Sequence, residues 1–241
     1  MAGFKAHFFT AAIAGGTVAT SLLSVGVLTQ NSLLLCFAAA LLGGVLPDID
    51  SDTSTVLTVS FTSLSLIFSF FILFSQVEHL STIESLLLWF AVFLFFKIIV
   101  FGLFTKLTVH RGIFHSIPAA FLSLFLTTIL LNKLFNLDNK TVWLVGSFLF
   151  LGFIIHLILD ELASLNIFSL GGVKKSFGSA AKLYSSNLIA TGTLYLATLL
   201  LYTLTPATDG IFSHLTDPIT LKMIAIQFLP TDGWFSHILQ G

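Results

Sequence analysis

Apolar runs of about 20 residues, separated by short polar stretches, recur along this chain. An α-helix rises 1.5 Å per residue, so a run of that length spans roughly 30 Å of hydrocarbon. In lipid the backbone must satisfy its own hydrogen bonds, which a helix does within one segment. The charge content agrees. Only 9% of residues are charged and 56% are hydrophobic, with a mean hydropathy of +1.03. A soluble domain carries about 25% charged residues and could not cover a water-facing surface with so few. The sequence therefore predicts an all-α, polytopic membrane helical bundle of about seven transmembrane helices. Their approximate limits are 6–28, 32–47, 54–76, 82–105, 113–133, 141–164 and 185–205. The transmembrane domain covers 1–205, and 206–241 reads as an interfacial aromatic tail on the non-cytoplasmic side.

Several classes of function are excluded early. The net charge is −1 and no basic stripe is present, so direct nucleic-acid binding is not expected. Cys36 is the single cysteine and sits in an apolar run, so it forms no internal disulfide and reads as a small core residue. The abundant phenylalanines, 27 in all, are packing and lipid-facing surface rather than a platform for stacked bases. The N-terminal stretch reads as a retained first helix rather than a cleaved signal peptide. The expected partners are membrane lipids.

Seven ionisable residues stand inside or at the ends of these apolar segments: His7, Asp48, Asp50, His110, His115, His156 and Asp160. Charge in hydrocarbon is costly, so such groups are functional candidates. Tracing seven spans places all seven on one side of the membrane. The first span starts at His7, and the second returns to deliver Asp48 and Asp50. The fourth returns near His110 and His115, and the sixth brings back His156 and Asp160. That side also holds Lys5, Lys106, Arg111, Lys174, Lys175 and Lys182, whereas Lys133, Lys140 and Lys222 fall on the other. The positive-inside rule makes the first side cytoplasmic in the cell (inner) membrane. His79, His214 and His237 fall on the far side and are left out of the site.

Each motif admits a plainer reading. Pro47 introduces a turn before Asp48 and Asp50, and in an extended stretch two carboxylates two residues apart share a face. They can hold or bridge cations, or form a polar turn in which Asp52 and Ser54 cap the next helix. His110 and His115 flank Gly112, whose freedom lets the backbone turn tightly. Arg111 between them suits a phosphate or carboxylate, or snorkels to lipid headgroups. His156 and Asp160 are four apart on a helix, a ligand spacing that a buried structural pair would share. His7 alone is more often interfacial, and its side of the membrane raises its standing. The 171–182 loop, GGVKKSFGSAAK, is a basic loop or a lid beside the site. The pair Asp209–His214 and Asp232–His237 forms a small repeat read as interfacial. Lys97 stands alone within the fourth span.

The donor set is thiolate-free and suits a divalent metal, zinc favoured, as one or two ions. A metal lowers the pKa of bound water to about 7 and makes a nucleophile at neutral pH. Arg111 and Asp160 are the catalytic candidates, Arg111 stabilising developing negative charge. The pattern of N-terminal His7, then Gly43-Gly44 through Leu46-Pro47-Asp48 to Asp50, then His110-Arg111-Gly112 to His115-Ser116, then His156 and Asp160, resembles the LexA-binding, inner-membrane-associated hydrolase family, the YdjM-like membrane-bound metal-dependent hydrolases. The likeness covers roughly residues 1–165. It implies a bacterial or archaeal membrane protein, a metal-dependent hydrolase activity and the seven ligands named above. It also implies distant similarity to zinc-dependent phospholipase C. The expected function is a membrane-embedded metal-dependent hydrolase, acting on a phosphoester or phospholipid-like substrate at the cytoplasmic face. The alternatives are a cation- or proton-coupled transporter using the same cluster, and a non-catalytic membrane scaffold.

Overall fold

The computed structural model describes residues 3–50, 81–100, 115–164, 181–184 and 187–228, with isolated positions at 62, 65, 66, 69, 70, 72, 73 and 102; the side chains of Ile49 and Asp50 fall outside this set. All regular structure among the described residues is helical. The elements are α1 (Phe4–Ser24), α2 (Gln30–Val45), a 3₁₀ turn (Leu46–Asp50), α3 (Thr82–Leu94) with a π turn (Phe95–Val100), α4 (Ile117–Phe135), α5 (Asn139–Ser164), α6 (Leu188–Leu204), α7 (Ile211–Leu215) and α8 (Pro218–Phe228).

Local chemistry sets the boundaries. Thr29 and Ser32 form a capping box at the start of α2, and Ser81 with Glu84 does so for α3, each satisfying amide groups the first turn leaves free. Ser116 caps α4, whose second residue is Pro118, and Asn136 ends that helix in the left-handed conformation with φ 50°. Asn187 caps α6 by accepting from the Ala190 amide. The fifth predicted span, expected from 113, therefore begins at Ile117, and His115 precedes the helix instead of lying in it.

Among the described residues, five helical stretches are long and apolar enough to cross a membrane: Phe4–Ser24, Gln30–Asp48, Thr82–Val100, Ile117–Phe135 and Asn139–Ser164. Leu188–Leu204 is an apolar helix of 17 residues, shorter than the span read over 185–205. The span read over 54–76 falls largely outside the described residues. The described residues thus form a helical membrane protein that includes five candidate spans.

Helix α5 is the hub. It packs against α1, α2 and α4, and 61% of its apolar stretch is buried, against 6% for α3. The α2–α5 crossing is built on glycine. A Cβ on Gly152 would overlap the Ala40 carbonyl oxygen, and one on Gly43 would overlap the Leu149 carbonyl oxygen. Membrane helices associate largely through close van der Waals packing, which small residues permit. Cys36 is buried at the α2 face of this core, as a packing residue.

The tail packs at the end of α5 opposite His156. Asn139 Nδ2 donates to Asp209 Oδ2 at 2.9 Å, and Trp143 Nε1 donates to the Pro206 carbonyl at 3.1 Å. Phe212 meets Trp143 edge-on at 5.4 Å, and Ile211 is buried in the main core. Helix α8, which no sequence signal announced, packs on α1. Trp143 therefore pins the tail. Trp143→Ala is expected to destabilise the protein by about 3–5 kcal/mol. Trp143→Phe, losing one hydrogen bond, should cost about 1 kcal/mol. Unfolding in detergent measures both, and an alanine variant as stable as the phenylalanine variant would show that the indole does not anchor the tail.

Lys97 lies half-buried in the π turn and donates to Thr62 Oγ1. A lysine within an apolar span thus has a hydroxyl partner on the preceding segment.

Candidate metal centre

Four separate elements deliver side chains to one end of the bundle. Helix α1 brings His7 in its first turn. The 3₁₀ turn after α2 brings Asp48. The residue before the α4 cap is His115. The last turns of α5 carry His156 and Asp160. All are buried except Asp48, whose side chain is 14% exposed and forms the open edge of the group.

The local folds aim these groups. Leu46 is helical despite preceding proline, and the chain tightens into a 3₁₀ turn with Pro47 fully buried. Proline at the start of a helical turn lacks only a donor that the turn leaves unused. The extended geometry expected for Asp48 and Asp50 is thereby corrected. Side chains two apart diverge in a 3₁₀ turn, so Asp48 stands on its own contacts. His115 is held by its neighbour: Ser116 caps α4 and forms a parallel bridge with Lys182, and the Ile117 amide donates to the Lys182 carbonyl at 3.2 Å. The last residue of the basic 171–182 loop therefore lies against the site's N-terminal wall. His156 is oriented by a bond of 2.8 Å between Nδ1 and the Gly44 carbonyl. That bond makes Nδ1 the protonated nitrogen and leaves Nε2 as the lone-pair donor, the usual outer bond of a metal-binding imidazole.

The distances describe a compact polyhedron. His156 Nε2 lies 3.3 Å from His115 Nε2, 3.5 Å from Asp48 Oδ1 and 3.8 Å from Asp160 Oδ2. His115 Nε2 lies 3.5 Å from Asp160 Oδ2 and 3.9 Å from Asp48 Oδ1. The same four atoms recur in every pair, and one donor atom from each of these residues lies within 4.8 Å of the others. A tetrahedral ion with ligands at about 2.0–2.1 Å has donor–donor edges of roughly 3.3–3.4 Å. Five of the six edges match or exceed this by up to about half an ångström, and the carboxylate pair lies within 4.8 Å, a contraction that side-chain rotation supplies. Two buried imidazole nitrogens face each other at 3.3 Å beside two carboxylates, and a shared cation satisfies all four. The group thus fits a divalent metal in both chemistry and spacing.

His7 stands just outside these four. Its ring stacks on His156 at 3.7 Å with an interplanar angle of 17°, and its Nε2 lies 3.2 Å from Asp160 Oδ1. The two oxygens of Asp160 are therefore divided, Oδ1 towards His7 and Oδ2 towards the other imidazoles. This suits Asp160 to ligation more than to acting as a free base. His7 is 1% exposed, and among the described residues neither ring nitrogen meets hydrogen-bond geometry.

Five of the seven sequence-predicted ligands, His7, Asp48, His115, His156 and Asp160, are thus brought within contact of one another. The side chain of Asp50, and the whole of His110 and Arg111, lie outside the described residues. Glu161, one residue past Asp160, is half-buried and not among the four donors. His214 is exposed on α7 at the far end of the bundle. Sequence reading missed Gly44, whose carbonyl orients His156, although the Gly43-Gly44 pair before Pro47 was a signal of tight packing there.

The fold and the site define a helical integral membrane protein carrying a buried group of two histidines and two aspartates able to hold a metal. The chain belongs to the YdjM inner membrane protein family, whose family model matches residues 1–204. That match ends where α6 ends. No curated protein and no solved structure matches the chain.

Proposed function

We propose that this protein is a metal-dependent hydrolase of the membrane, with its site at the cytoplasmic face and a phosphoester or phospholipid-like substrate. The observation that carries the reading is the donor polyhedron: four donor atoms on separate turns, five of their six edges 3.3–3.9 Å, among described residues that otherwise bury little charge. Groups of this kind are rarely kept in apolar helices without a task. A bound divalent ion, zinc favoured, would supply Lewis acidity and a water activated near neutral pH. Asp48, His115, His156 and Asp160 hold it. Asp48 is the most exposed of the four, so water and substrate approach from its side. Those four side chains would hold the ion, and the partly exposed Asp48 edge would leave it accessible to water. Arg111, four residues ahead of His115 in the sequence, supplies a fixed positive charge for an anionic substrate group. The Lys and Arg bias supports a cytoplasmic orientation. The tail, packed at the other end of α5, then occupies the outer interface, where Phe212 suits it.

The test uses the full chain in lipid nanodiscs, loaded with one divalent metal at a time. It is offered soluble phosphodiesters, phosphomonoesters and phospholipid. Metal-dependent release of a hydrolysis product is expected. Asp48→Asn should reduce it beyond the roughly 10–100-fold that loss of an outer partner costs. Metal flux into sealed vesicles with no hydrolysis of any ester would replace this reading with transport.

A further inference from the structure

The imidazole on α1 has a role different from that of the other two. We infer that His7 is a positioning residue and not a metal ligand: the site holds one ion on Asp48, His115, His156 and Asp160, and His7 orients two of those ligands from outside. The inference rests on the metal reading above.

Three observations carry it. First, among the described residues four donors, each through one atom and all within 4.8 Å of one another, are enough for one ion. Second, the carboxylate of Asp160 is split. His7 Nε2 faces Oδ1 at 3.2 Å, while Oδ2 faces His115 at 3.5 Å and His156 at 3.8 Å. A ligating carboxylate is commonly held through its other oxygen by an outer partner, which fixes the plane in which the ligating oxygen points, and His7 fills that place through a close polar contact rather than an aligned hydrogen bond. Third, the His7 ring lies parallel on His156 at 3.7 Å. A ring stacked on a ligand walls off its face and holds its plane. The same ligand is fixed at its edge by the Gly44 carbonyl at 2.8 Å. Helix α1 therefore serves the centre by restraining α5, and its close packing on α2 keeps that restraint in register. A Cβ on Gly44 would overlap Ala11 Cβ, one turn along α1 from His7, so even the spacing of the two helices is set beside this residue.

The rival on the same geometry is a second ion, with His7 as its ligand and Asp160 bridging. Metal stoichiometry, affinity and the visible spectrum of the cobalt-substituted protein separate the two in wild type, His7→Gln and His7→Ala. Glutamine can present an N–H to Asp160 Oδ1 but is a poor metal ligand. The expected results are one ion per chain in wild type and in His7→Gln, with the same cobalt spectrum. Affinity should fall about 10–100-fold in His7→Ala and be largely restored in His7→Gln. Two ions in wild type with one in His7→Gln would overturn the inference in favour of a dinuclear site. A changed cobalt spectrum in His7→Gln would overturn it in favour of direct ligation, and unchanged affinity in His7→Ala would overturn the positioning role. Wild type that binds no divalent metal removes the metal reading itself, a result distinct from each of these.

Discussion

His156→Ala is expected to leave the purified protein without bound metal. Three of the five short donor–donor distances converge on His156 Nε2, and no other donor has more. The side chain is fully buried, so no water-filled vestibule can offer a replacement ligand from bulk solvent without entering the core. The variant also removes the partner of the Gly44 carbonyl, and an orphaned buried acceptor costs about 1–3 kcal/mol. A truncated buried ring leaves a cavity as well. The combined loss in the metal-free protein should be on the order of 2–5 kcal/mol. Two measurements separate the effects. Elemental analysis reads metal content directly. Thermal unfolding with and without added metal reads linkage: a ligand at about 1,000 times its Kd stabilises the native state by about 4.1 kcal/mol. Wild type should gain that increment and lose it on chelation, while the variant gains nothing. Full metal content in His156→Ala would sink the assigned centre.

Gly152→Ala is expected to be, with Gly43→Ala, among the most damaging single-methyl additions in the described bundle. Its Cβ would overlap the Ala40 carbonyl oxygen and crowd the Gly44 amide, both backbone atoms that no rotamer change can move. The helices must separate. Overpacking typically costs about 1–3 kcal/mol and more when the backbone must shift, so this substitution sits at or above the upper end. The consequence reaches the site, because Gly44 supplies the carbonyl that orients His156. Pushing α2 from α5 lengthens that bond, so metal affinity should fall together with stability. Gly192→Ala on α6 is the control. Nothing lies within 4 Å of its would-be Cβ, and the substitution should be neutral or stabilising by about 0.5–1 kcal/mol. Equal thermal stability of Gly152→Ala and wild type would mean that the α2–α5 contact is looser than the structure shows.

Much of the bundle was legible in the chain. Apolar length placed α1, α2, α4 and α5 within a few residues of their observed limits, and the alternation of spans placed His7, Asp48, His115, His156 and Asp160 at a common end. What length and hydropathy miss is local hydrogen bonding. Ser116 starts α4 later than hydropathy suggests because its side chain accepts the Ala119 amide, which leaves His115 outside the helix and free to turn inward. The turn at Pro47 is 3₁₀ where an extended stretch was expected, since a buried proline begins a helical turn without losing a bond. Helix α8 has too few turns to stand out from apolar background, and its formation depends on docking against α1.

Composition and apolar run length by themselves determined that this chain is a helical membrane protein, and the order of its spans brought His7, Asp48, His115, His156 and Asp160 to one end. Those properties are sums over residues, and the bilayer reads them as such. Which donors lie close enough to share an ion, and which oxygen of Asp160 faces which ring, were decided by the tertiary structure alone. They depend on how closely α1, α2 and α5 approach one another, and that is set by where glycine lets two backbones touch.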